Sequence, residues 1–190
     1  GFRALGHTSP PTRMPDRQAA AAVGQGRLMS LWADAFQTVG RDVAQILLTN
    51  DCLTDRRRYV AARQALSTLL QAGIVPIVNE NDTVSVAEIV VGDNDNLAAM
   101  TAALVDADVL ALLTDVPGVL SGDPDLGAEV HVIAHASGAE ELRSLCFGKK
   151  AIESTGGMVT KLEAAERAGR YGIPTMIASG TEDGAIDAIL

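Results

Sequence analysis

From Asn79 to Asn96 the chain reads NENDTVSVAEIVVGDNDN, an apolar, β-like stretch with carboxylates and amides gathered at both ends. One Asp or Asn is enough to cap a helix; Asp93, Asn94, Asp95 and Asn96 together exceed that need. A solvated turn would tolerate the cluster, whereas a binding site would use it. With Asn79 and Asp82, the cluster could line a pocket in which a carboxylate grips a substrate ammonium while amides and N–H groups meet its carboxylates. An amino acid needs both kinds of partner.

A second stretch, Thr155 to Lys161, reads TGGMVTK and places two glycines before a helix with a lysine about one turn inside it. Exposed N–H groups at such a helix start, with the helix dipole behind them, form an anion site. The spacing is not that of a Walker A loop, and no G-x-G-x-x-G follows a strand, so a Rossmann dehydrogenase has little support. The competing reading is a structural turn followed by a surface lysine.

Other polar groups carry less chemistry. His131 and His135 have i, i+4 spacing, but the Val and Ile around them favour a strand, and no third ligand is near in sequence, so no metal site is expected. Arg56, Arg57 and Arg58 fit the solvated first turn of a helix. The alanine-rich run from Gln18 to Val23 reads as close helix packing. Cys52 and Cys146 have neither metal nor redox spacing, and their isolation fits a reducing cytoplasm.

The elements that must position these groups alternate. Apolar residues at helical spacing predict a helix over 18–36, then a strand over 43–49. Asp51 or Thr54 is predicted to cap a helix through about Gln71, stopped by Gly73, before a buried strand over 74–78 that Pro76 weakens slightly. A helix opened by Asp95, with Leu97, Met100 and Leu104 on one face, leads to a strand over 108–114. A loop from Asp115 to Asp125, a minor strand over 130–133 and a short helix over about 140–145 follow. A final helix runs from Met158 to about Tyr171 and a strand over 174–178. Continuous apolar strands alternating with helices imply an α/β fold, a mostly parallel sheet covered on both faces. Ligands bind such sheets beyond the carboxyl ends of the strands, which are Thr49, Asn79, Thr114 with Asp115, and Ser179 with Gly180.

Composition sets the outer limits. With 190 residues and 47% hydrophobic content, one domain with a sizeable core is expected. The 24 acids against 15 bases give a formal charge of −9, which argues against general affinity for nucleic acid or acidic membranes. Three Phe, two Tyr and one Trp are too few for base-stacking platforms. No apolar run approaches the roughly 20 residues of a membrane span, and the opening GFRALGHTSPPTRMPDR lacks the apolar core of a signal peptide.

The motifs IVNENDTVSVAEI, VGDNDNLAA, LLTDVPGVLSGDP and STGGMVTKLEAA, supported by QAAAAVGQGRL and LLTNDCLTDRRRYVAARQAL, make the chain resemble the amino acid kinase superfamily, and within it the glutamate 5-kinases. The resemblance covers nearly the whole chain in order and spacing. It implies a three-layer α/β/α sandwich with a mostly parallel central sheet. It also implies ATP-dependent phosphorylation of the L-glutamate γ-carboxylate, the first step of proline synthesis, with Mg²⁺ carried by the nucleotide, feedback inhibition by L-proline and a homo-oligomer. By motif, Asn79, Asp82, Asp93 and Asn94 correspond to glutamate-site residues. Thr114, Asp115, Thr155, Gly156, Gly157, Met158, Val159, Thr160 and Lys161 correspond to the ATP site. Lys161 would neutralise charge on the transferring phosphoryl group, and Asp95 would organise catalytic lysines. The attacking carboxylate is already ionised, so no general base is required.

The pattern is not matched everywhere. Ser154 stands where the family commonly has glycine, and the segment from Phe147 to Glu153 is atypical. The family's first strand, its glycine-rich turn, its second catalytic lysine and its Ser-Ser-Gly loop are not found, and neither is the RNA-binding-like C-terminal domain of many members. Residues 1–190 by themselves are therefore expected to be incompetent as a kinase. Acetylglutamate, aspartate, carbamate and uridylate kinases remain rivals, as does a non-catalytic module that binds proline or glutamate.

Overall fold

In the computed structural model, which describes residues 1–84, 94–122, 129–143 and 157–189, the chain divides into two units, Gly1–Val91 and Gly92–Leu190. The first opens with a 3₁₀ turn, Phe2–Leu5, and continues through α1 (Met14–Gln37), β1 (Val43–Leu48), α2 (Asn50–Thr54), α3 (Arg56–Gln71) and β2 (Val75–Glu80). The second holds α4 (Asn94–Val105), β3 (Leu110–Thr114), α5 (Ala139–Arg143), α6 (Met158–Gly169), β4 (Thr175–Ser179) and α7 (Ala185–Ile189). No helix among the described residues is long and apolar enough to cross a membrane.

Among the described residues, each unit contains one parallel strand pair. β1 runs beside β2 from Val43 opposite Val75 to Leu48 opposite Glu80. β3 runs beside β4 from Leu110 opposite Thr175 to Thr114 opposite Ser179. Parallel neighbours require a long crossover, and helices supply it in both cases, which bears out the α/β class. In the second unit Ala99, Ala102 and Ala103 of α4 pack with Leu110 and Leu112 of β3, Ala164 and Ala168 of α6, and Ile173. Small side chains on both helices let α4 and α6 approach closely, and that contact positions the chemistry described below.

The helix-to-strand connections share one device. Past α3, Ile74 N–H donates to Leu69 O and Gly73 N–H to Leu70 O, both at 3.0 Å. Past α6, Ile173 donates to Ala168 O at 3.1 Å and Gly172 to Gly169 O at 2.9 Å. These are Schellman ends, which need a positive φ, and Gly73 and Gly172 supply 72° and 76°. Asp106, with φ 51°, fills the same place after α4, where Ala107 donates to Ala102 O at 3.0 Å.

Several boundaries differ from those the sequence predicts. α1 starts at Met14 rather than Gln18, because Pro15 in the first turn gives up only an N–H that has no helical partner there. The cap of α3 is neither Asp51 nor Thr54 but Asp55, whose side chain accepts from Arg57 N and Arg58 N at 3.0 Å, and α2 is a separate short helix. β2 runs on to Glu80, so Asn79 lies inside the strand, opposite Leu47, rather than after it. β3 begins at Leu110, two residues late, and the predicted strand over 130–133 is a single antiparallel bridge between Leu120 and Val132. α6 ends at Gly169, and α7 was not foreseen.

Candidate active site

Among the described residues, Lys161 is the charged side chain that is buried. It sits in the first turn of α6, is only 8% exposed, and faces the positive end of a helix dipole, an unfavourable place for an ammonium. Asp95, in the first turn of α4, compensates. Lys161 Nζ donates to Asp95 Oδ1 at 3.0 Å and to Oδ2 at 2.9 Å. Thr160 adds a third contact, its hydroxyl lying 3.0 Å from Asp95 Oδ2 and 2.7 Å from Gly157 O, so that one proton faces two acceptors. One residue further along α4 and six further along α6, Arg167 Nε donates to Asn96 Oδ1 at 3.2 Å. The surface-lysine reading of Lys161 is therefore wrong: the amphipathic face of α6 turns it inward, where Asp95 meets it.

Gly157 precedes α6 in extended conformation and makes no side-chain cap, which leaves the first-turn N–H groups of Met158 and Val159 available to an anion. In the same unit, the strand ends are polar. Thr114 closes β3 and its hydroxyl donates to Asp115 Oδ1 at 3.3 Å. Ser179 closes β4, is buried, and lies 3.0 Å from the Thr181 hydroxyl. Gly180 N–H donates to Thr114 O at 2.7 Å, which keeps the two strand ends together.

In the first unit Asn79 is fixed from two sides. Glu80 N–H donates to its Oδ1 at 2.9 Å, and its Nδ2 donates to Gln25 Oε1 of α1, also at 2.9 Å. Gln25 Nε2 is buried with no partner among the described residues; an orphan donor of that kind costs about 1–3 kcal/mol. Asp82 stands exposed in the turn after β2. At the end of β1, Thr49 Oγ1 and Cys52 Sγ lie 3.4 Å apart.

Away from these groups, Glu166 of α6 accepts from Arg170 at 2.7 Å and from Arg143 of α5 at 2.6 Å. The hydrogen bonds from Arg170 and then Arg143 hold the Glu166 carboxyl below the usual carboxylate range, and the bond to Glu166 raises Arg143 in turn. His131 pairs with Ser121, at 3.2 Å from its Nδ1, and His135 is exposed. Among the described residues no three His, Cys, Asp or Glu side chains are grouped to hold a metal ion.

The amino acid kinase family pattern matches residues 6–179. The chain belongs to the amino acid kinase family. Within that family, a glutamate 5-kinase of Moorella thermoacetica is 48% identical over 191 residues, covering 100% of this chain and 50% of that protein. One of Myxococcus xanthus is 46% identical over 192 residues, covering 100% of this chain and 51% of that protein. The chain thus spans about half the length of the curated relatives it matches. Among solved structures, E. coli aspartokinase III in complex with aspartate and ADP matches with a TM-score of 0.64 at 19% identity, covering 97% of this chain and 42% of that one. At that identity the likeness speaks to the fold, and it agrees with the α/β sandwich of the amino acid kinases.

Against the family motifs, the structure brings together Asp95, Thr160 and Lys161, which lie 65 and 66 residues apart in sequence. Thr114 ends the strand packed against the same helices, with Asp115 directly after it, and Asn94, exposed, opens α4. Asp93, Thr155 and Gly156 lie outside the described residues, as do Ser154 and the segment from Phe147 to Glu153. Two of the four clustered residues that suggested a substrate pocket are engaged within the unit, Asp95 by Lys161 and Asn96 by Arg167. Sequence reasoning did not single out Gln25, which stands between Gly24 and Gly26 just past the alanine-rich run from Gln18 to Val23. Its one signal was an uncharged polar residue beside the alanine-rich helix face.

Proposed function

We propose that the gene product carrying this chain phosphorylates the γ-carboxylate of L-glutamate with ATP, forming glutamyl 5-phosphate as the first step of proline biosynthesis. The observation that carries the reading is the buried Lys161, at a glycine-led helix start, clamped by both oxygens of Asp95. The glutamate 5-kinase relatives support it. The family match runs through both units, which supports one kinase domain rather than two.

In this reading a carboxylate oxygen of glutamate attacks the γ-phosphorus, the bond to the bridging oxygen breaks, and ADP leaves. Phosphoryl transfer of this kind depends on positioning and electrostatic stabilisation. Lys161 neutralises charge on the phosphoryl oxygens, and Asp95 holds Lys161 while Thr160 holds Asp95. Gly157, Met158 and Val159 offer N–H groups to the phosphates, with Thr155 and Gly156 in the same run, and Thr114 and Asp115 contact the nucleotide. Mg²⁺ enters as part of the nucleotide substrate. Asp82 pairs with the substrate ammonium, and Asn79, Asp93 and Asn94 meet its polar groups. L-Proline as a feedback inhibitor, a homo-oligomeric assembly and a cytoplasmic location belong to the same reading.

An acyl phosphate reacts with hydroxylamine to give a hydroxamate. With ATP present, L-glutamate should yield it, and L-aspartate and N-acetyl-L-glutamate should not. A preference for either of those acceptors would replace the assignment with a different member of the family, and ligand binding without product would leave a sensor module.

A further inference from the structure

The amides of Asn79 and Gln25 form a directed chain. Because Glu80 N–H occupies Asn79 Oδ1, the Nδ2 end of that amide must face α1, and Gln25 must present Oε1 to it. Turning either amide over would set N–H against N–H or oxygen against oxygen. The consequence is that Gln25 Nε2 points into a buried place with no acceptor among the described residues. Native structures leave few such donors. A methionine, similar in length and volume, would fill the same space on α1 without burying an unsatisfied donor. What methionine cannot do is accept a hydrogen bond from Asn79.

We propose that Gln25 is a positioning residue for the amino-acid substrate. It accepts one Nδ2 hydrogen of Asn79, fixes the amide plane together with Glu80 N–H, and leaves the second Nδ2 hydrogen to donate to a substrate carboxylate oxygen. The inference rests on the proposed reading of Asn79 as a glutamate contact. A residue retained only for packing would behave differently, since exchanging it for methionine would leave catalysis alone.

The test is steady-state kinetics and thermal unfolding of the wild-type gene product, Gln25→Met, Asn79→Ala and the double variant. Gln25→Met should raise KM for L-glutamate about tenfold, with kcat and KM for ATP within about twofold and no fall in Tm. In the Asn79→Ala background the same change should add nothing, because the group it positions is gone. An unchanged KM, a lowered Tm without a change in KM, or additive effects in the double variant would overturn the proposal. A measurement that needs no variant backs this up: saturating L-glutamate should move the Asn79 side-chain amide resonance of the wild-type protein, and an unmoved signal overturns the proposal as well. A wild-type protein without glutamate-dependent turnover removes the functional reading and this one with it; an active wild type with an unaffected Gln25→Met removes this one alone.

Discussion

A lysine buried at the positive end of a helix is stable there only because a carboxylate meets it, so Lys161 and Asp95 have to be understood as a pair. Held this way, the ammonium is kept from solvent, and in the proposed reading its charge is in place before phosphoryl charge begins to move. Such preorganised charge acts mainly in the transition state. Lys161→Ala should therefore lower kcat by about 10²–10³-fold, the range seen when one preorganised donor is removed. KM for L-glutamate should change little, and steady-state kinetics at saturating ATP measures both. An unaltered kcat would return Lys161 to a structural role. The TGGMVTK motif made Lys161 a candidate in the sequence, and the family resemblance, rather than any local spacing, offered Asp95 as its organiser. Nothing local links residues 95 and 161; only the alanine-faced contact of α4 with α6 brings them together. Gln25 was hidden for the same reason, its partner being 54 residues away.

At the scale of elements, alternating apolar strands and helices were readable because their periods differ, and the parallel pairing follows from the crossovers. The ends were less readable. Asp55 rather than Asp51 or Thr54 caps α3 because residues 50–54 form a separate short helix, α2, and Asp55 is the extended residue between the two. The strand-like run ending at Ile133 lost its identity because a single bridge to Leu120 is all the pairing it has among the described residues. α5 is tied to α6 by Glu166, which accepts from Arg143 and Arg170. Because these bonds depress its pKa, the stabilisation is present above the ordinary carboxylate value and is lost as pH falls through the lowered one. Exchange of the Arg143 guanidinium protons, followed by NMR, should be slower than in Glu166→Gln at neutral pH. The two proteins should converge in acid, and also at high salt, because the pairs are solvent-exposed. Equal exchange at neutral pH would mean that the ties contribute nothing.

Across residues 1–190 a net charge of −9 would repel a nucleotide carrying several negative charges of its own, so in the proposed reading phosphate recognition is local. A glycine-led helix start with a buried lysine is a local solution of that kind. The acid and amide residue types between Asn79 and Asn96 in the sequence are those the proposed zwitterionic acceptor would require: carboxylates for its ammonium, amides for its carboxylates. The central claim is that an oxygen of the glutamate γ-carboxylate becomes bonded to phosphorus. The direct measurement uses L-glutamate labelled with oxygen-18 in both γ-carboxylate positions, ATP and hydroxylamine. Hydroxylamine attacks the acyl carbon, the carbon–oxygen bond breaks, and the oxygen that attacked phosphorus leaves with the phosphate. The account predicts inorganic phosphate carrying a single oxygen-18 atom, formed in step with the hydroxamate. Phosphate without the label would show that water, not glutamate, accepts the phosphoryl group, and would contradict it.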